Sequence, residues 1–212
     1  MRPSGAGVWA LLLLAVSIVV PAAALAAGPV AEVVRIKGAE VARHSGTEIP
    51  LTVGAPIEVL DTVETAAGAR VELRFTDGAG LTLGERTRAV VSEYVFAPEV
   101  DGRGVLEVAG GAFAVATGAL ARLEGAPFTV KTPHASIGVR GTRFWGGALE
   151  GKEEFGVLVL EGAVSVGNEA GTVLLEGEGA GTVIPSVGAP PGAPVRWSRE
   201  RVGRALTTVS FE

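Results

Sequence analysis

Cysteine is absent from this 212-residue chain, histidine occurs twice, and aromatic residues make up only 5% of it. Without thiols there can be no disulfide staple, no thiolate-bound zinc or iron–sulfur cluster and no cysteine nucleophile. The two histidines lie far apart. His44 sits in the polar stretch Arg43–Thr47, which reads as an exposed hairpin tip, and His134 follows Thr132-Pro133 on a turn entering a strand. Neither has the neighbours of a general base, so a Ser/His/Asp arrangement has little to stand on. Carboxylates are more plentiful, but Glu150, Glu153 and Glu154 around Gly151 and Lys152 read as a solvated loop. Gly177-Glu178-Gly179-Ala180-Gly181 is followed by neither a lysine nor a helix, so it reads as a turn and not as a phosphate cradle. An excess of basic charge is also missing. The formal net charge of −5 offers no electrostatic footprint for nucleic acid or anionic lipid. No catalytic residue, metal or cofactor is expected.

Long apolar runs are scarce as well, with one exception. Arg2 precedes the uncharged run Val8 to Val20, Pro21 breaks it, and Ala24-Leu25-Ala26 offers the small-residue pattern of a cleavage site. A membrane-spanning helix needs roughly 20 apolar residues, and this run is shorter. Residues 1–26 are therefore expected to be a secretory signal peptide cleaved after Ala26, leaving an exported, periplasmic or extracytoplasmic chain. Membrane attachment is expected only if that signal stays uncleaved. What remains has the length of one domain.

Glycine is abundant, with 31 residues and no G-X-Y period. Its distribution through a valine-rich chain marks turns between many short strands, spaced at roughly 8–12 residues. Val71, Leu73 and Phe75 alternate with Glu72, Arg74 and Thr76, the pattern of a half-buried strand. Asp77-Gly78 follows, and Leu81 and Leu83 resume the alternation, which predicts a hairpin. Further strands are expected at Val30–Ile36, Arg88–Val95, Val105–Val108, Phe113–Thr117 and Phe128–Lys131. A glycine-punctuated series follows: Ile137–Val139, Thr142–Trp145, Val157–Leu160, Val164–Val166, Val173–Leu175 and Thr182–Ile184. The expected fold class is all-β, either a short-strand solenoid-like stack or a sandwich, over residues 27–184.

Residues 185–194 are rich in proline and glycine and are expected to form an extended, mobile linker. A short C-terminal helix is expected over Ser198–Leu206, with Ser198 as N-cap and Trp197, Val202 and Leu206 as an apolar stripe that docks residues 195–212 on the β body. Between Thr132 and Phe144, Pro133 marks a corner and Gly138 and Gly141 flank Arg140. Such a guanidinium can brace loop carbonyls, or it can face outwards to hold a carboxylate or a partner; the brace is the expectation.

The same segment carries a resemblance. Thr132-Pro133, Ala135, Ile137 and Val139-Arg140-Gly141-Thr142 with Phe144 resemble the signature of the FecR-type domain. In the same order, Asp61-Thr62-Val63 with Val71–Phe75 and Asp77-Gly78, then Gly110-Gly111-Ala112-Phe113, then the series from Val157 to Val166, resemble its other strands. The resemblance implies an extracytoplasmic, solenoid-like β module without catalytic residues. Its best-known members are membrane-spanning iron-uptake regulators that relay the state of an outer-membrane transporter to a cytoplasmic sigma factor. With a signal peptide at its start, this chain is read as a stand-alone version of the module. The expected partner is an envelope protein, in envelope signalling. The alternative is peptidoglycan or another cell-wall glycan, for which Tyr94, Phe96, Trp145 and Trp197 are the candidate platforms.

Overall fold

The computed structural model describes residues 28–38, 41–44, 47–97, 101–123, 127–149 and 153–212. The expected signal peptide lies outside the described residues, as do parts of the His44 hairpin and of the Glu150–Glu154 loop. Among the described residues no helix is long and apolar enough to cross a membrane.

Among the described residues sixteen strands form one hydrogen-bonded sheet. The first seven are β1 (Ala31–Lys37), β2 (Val41–His44), β3 (Glu48–Pro50), β4 (Pro56–Ile57), β5 (Thr62–Thr65), β6 (Arg70–Phe75) and β7 (Gly80–Leu83). Then come β8 (Thr87–Ala97), β9 (Asp101–Gly110), β10 (Ala112–Ala116), β11 (Phe128–Lys131) and the long strands β12 (Ser136–Gly147) and β13 (Phe155–Asn168). β14 (Gly171–Glu176), β15 (Ala180–Ile184), β16 (Val195–Arg196) and α1 (Arg199–Thr207), the single α-helix among the described residues, follow. The all-β class with one short C-terminal helix is as expected.

The two long strands give the sheet its shape. The first half of β12 pairs with β11 and its second half with β10. β13 likewise pairs with β15 through its first half and with β14 through its second. The sheet therefore folds over at the middle of these strands into two facing layers. Layer A runs β3-β2-β5-β8-β9-β11-β12-β13-β14, and layer B runs β4-β1-β6-β7-β10-β12-β13-β15-β16. Of the described strand pairings only β9 with β11 is parallel. The pairing is thus that of a folded-over sandwich rather than of stacked coils, and corners made by strands that change layer are a known way to build one.

Period-two alternation puts one face of each layer inwards. In layer B the opposed residues Val33, Leu73, Leu81, Val115, Phe144 and Val159 form one buried row across six strands. In layer A the corresponding row is Val91, Leu106, Val130, Ile137 and Val166, ending at Val173. The two rows close on a single apolar core. Phe75 of layer B stacks on Tyr94 of layer A at 4.5 Å between ring centres.

The C-terminal segment forms a third layer. Trp145 and Leu158, on the outer face of layer B, are fully buried beneath Trp197 and Ala205. Ser198 caps α1, its Oγ accepting the Arg201 amide at 3.2 Å. The helix stripe is Val202 and Ala205; Leu206, expected to be part of it, is 38% exposed. Residues 185–194 also differ from the expected mobile linker. Asn168 Nδ2 donates to the Ala189 carbonyl at 2.7 Å, the Gly192 amide donates to Val183, and Thr182 Oγ1 donates to the Gly192 carbonyl at 2.6 Å. Those bonds pin the stretch to β13 and β15, so it is a fixed strap.

Candidate functional site

The residues singled out by sequence fall into three places: a turn hub, the corner of the folded sheet, and its outer faces. Asp77 and Gly78 do occupy the β6–β7 turn, where Gly78 has a φ of 86°. Asp77 is more than a turn residue. Its carboxylate is buried and accepts the Ala79 amide at 2.8 Å, the Tyr94 hydroxyl at 2.6 Å and the Leu120 amide at 3.0 Å. It thereby ties layer B to layer A and to the 3₁₀ turn Leu120–Arg122. Burial, then the hydrogen bond to Asp77 and its charge, hold the Tyr94 hydroxyl far above the ordinary phenol range.

At the corner, Thr142 does the work expected of Arg140. Its buried hydroxyl lies 2.7 Å from the Ala163 carbonyl and 2.9 Å from that of Arg140, and can donate to either. Its amide donates to Thr117 Oγ1 at 2.8 Å. Gly141 at φ 60° and Gly162 at φ 82° turn the two long strands side by side, and a Cβ on Gly162 would meet the Gly141 carbonyl at 2.8 Å. Arg140 itself is exposed and has no ion pair or side-chain hydrogen bond among the described residues. The brace expectation is therefore wrong; the side chain just before the Gly141 bend projects outwards, while the small hydroxyl just after it turns in. Thr132 closes the β11–β12 turn, its Oγ1 accepting the amides of His134 and Ala135, with Pro133 exposed at the tip. Phe144 is a core residue set edge-on to Phe113 at 6.0 Å.

Of the four candidate glycan platforms, Tyr94, Trp145 and Trp197 are buried and Phe96 is partly buried against the core. Tyr94 is in the core, and Trp145 and Trp197 pack edge-to-face at 6.0 Å beneath and within the C-terminal segment. Tyr94 and Trp145 lie at inward or tail-covered strand positions, and Trp197 lies in the covering segment itself, between β16 and α1. His134 stacks on Phe155 at 5.2 Å, and its Nε2 lies 3.0 Å from the Glu153 carbonyl. Among the described residues no group of three or more metal-ligating side chains exists.

Among the described residues, what stays open is the outer face of layer A. There Thr129, Gly138, Ser165 and Leu174 oppose one another across β11, β12, β13 and β14. Arg140, Ala163 and Glu176 form the next row on that face. The small residues of the middle strands leave a groove of about 730 Å³, with Arg140 and Glu176 at its sides and Leu174 55% exposed at its end. β14, the last strand of the layer, pairs only with β13 among the described residues. An edge strand of this kind carries backbone groups free to pair with another strand. Sequence reasoning marked Gly138 and Arg140 but missed Leu174, whose outward position depends on the register of β13 with β14.

Two crystal structures of a candidate anti-sigma factor from Parabacteroides distasonis share this fold, each with a TM-score of 0.54 and 20% identity, over 67% of this chain and 62% of theirs. The chain thus spans less than two thirds of that protein. No curated protein matches the chain. Residues 61–165, from the residue preceding β5 into the second half of β13, match the sequence model of the family described as FecR protein.

Proposed function

We propose that this chain, which carries a FecR domain, is an exported, non-enzymatic module of cell-envelope signalling that docks a protein partner on layer A. The observation that carries the reading is the inequality of the two outer faces. Layer B is covered by the chain's own C-terminal segment, whereas layer A offers a groove and the adjoining edge of β14. A partner strand added to β14 would gain backbone hydrogen bonds, and Leu174 and Arg140 would supply side-chain selectivity. The fold shared with a candidate anti-sigma factor supports a regulatory role rather than a catalytic one. Burial of Tyr94, Trp145 and Trp197, with Phe96 packed in part against the core, weighs against the glycan reading.

Photo-crosslinking amino acids placed at 174, 140 and, as control, the exposed Val53 in layer B's periphery test this in cells producing the full chain. The expected result is one partner adduct from 174 and 140 in the envelope fraction, none from 53, and loss of the 140 adduct on Leu174→Glu. Equal adducts from 53 and 174, or a chain confined to the cytosol, would overturn the proposal.

A further inference from the structure

On the far side of the molecule, where α1 and β16 meet β12 and β13, lies a second cleft of about 570 Å³. Its size is that of a small-molecule site. The floor is apolar, with Leu160 half-buried and Leu206 38% exposed, the position the helix stripe leaves unused. Its walls carry three guanidiniums from three separate elements: Arg143 of β12, Arg196 of β16 and Arg199 at the start of α1. Elsewhere in this acidic chain Arg35, Arg74, Arg88, Arg103 and Arg204 each reach a glutamate within 4 Å. Arg143, Arg196 and Arg199 have no ion pair or side-chain hydrogen bond among the described residues. One acid, Glu178, sits in the cleft wall against the three.

Three unpaired cations over an apolar floor match a ligand with an anionic head and a hydrocarbon tail. We infer that this cleft binds a single-chain anionic amphiphile, its carboxylate or phosphate head held by Arg196 and Arg199 and its chain laid along Leu160 and Leu206. Arginine suits that head because its planar donors meet two oxygens at once. The site lies apart from the layer A groove and does not depend on the reading of that face.

Isothermal titration of the signal-free chain, residues 27–212, with monomeric dodecanoate, dodecyl phosphate, dodecanol, acetate and inorganic phosphate tests the inference. Both anionic dodecyl compounds are expected to bind, and their relative affinity tells which head the site prefers. Arg196→Gln with Arg199→Gln should weaken both by roughly tenfold or more, since a charge-assisted bond contributes about 1.5–3 kcal/mol and 1.4 kcal/mol is tenfold. Leu206→Asp, at an exposed position outside the buried cluster, should weaken them comparably while the melting temperature stays near that of the parent. Dodecanol binding as tightly as dodecanoate, or acetate and phosphate binding as tightly as their dodecyl forms, would overturn it. So would unchanged affinity in the double arginine variant, or binding to anionic lipid vesicles without binding to monomeric dodecanoate.

Discussion

Asp77 shows how one buried carboxylate can organise three segments that are distant in sequence. An acceptor bonded to the Ala79 amide, the Leu120 amide and the Tyr94 hydroxyl leaves those donors unsatisfied if it is removed. The Tyr94 hydroxyl gives this hub a pH signature. Its pKa is raised in the folded state, so the proton it holds is released more readily on unfolding. The associated stability is fully present below the unfolded value of about 10 and is lost as pH rises through it, at up to about 1.4 kcal/mol per pH unit. The chain contains one tyrosine, so tyrosinate absorbance reports Tyr94 alone. That absorbance is expected to appear only with unfolding, and Tyr94→Phe should remove this alkaline loss while costing about 1–2 kcal/mol at neutral pH. Tyrosinate forming near pH 10 in the folded chain would contradict the assignment.

At the scale of elements, the hairpin of β6 and β7 was legible because the alternation of Val71, Leu73 and Phe75 and the Asp77-Gly78 turn are local signals. Ser198 was legible as an N-cap for the same reason. β12 and β13 were not. Each reads as two short strands with glycine between them, yet each is continuous, with Gly141 and Gly162 forming the bend. A glycine at positive φ looks the same in sequence whether it ends a strand or folds it; which one it does depends on the partners of each half. The exchange of roles between Arg140 and Thr142 has the same origin, since the bend decides which side chain turns inwards. Thr142→Val keeps the shape and removes the donor that serves the Ala163 or the Arg140 carbonyl, so it should cost about 1–3 kcal/mol in urea unfolding. Arg140→Ala should unfold within about 0.5 kcal/mol of the parent, as surface substitutions do. The reverse order of effects would restore the guanidinium as the brace.

For the whole molecule, the aromatic residues explain why the candidate site was only partly readable. Trp145 and Trp197 carry no mark in sequence that tells a platform from a core ring; they are buried because the C-terminal segment returns over layer B. The net charge of −5 likewise concealed the arginine cleft, because a total says nothing of where cations gather. The three-layer arrangement also separates the consequences of damage. Trp197 touches the outer cluster of Trp145, Leu158 and Ala205, not the core between layers A and B. Trp197→Ala removes a ring that sits against Gly181 and Gly156 too closely for any side chain to fill the space from below. The resulting cavity should cost about 3–5 kcal/mol. Trp145 then becomes the sole tryptophan of the signal-free chain, and its emission should shift to the red as the helix loosens and its bond to Thr208 is lost. The sheet should persist without denaturant, by circular dichroism, at a lowered urea midpoint. Because layer A keeps its own face, the adduct from position 174 should survive this substitution. Unshifted Trp145 emission with an unchanged midpoint would mean that the tail does not hold the outer face closed, and loss of the adduct would mean that the two faces act as one.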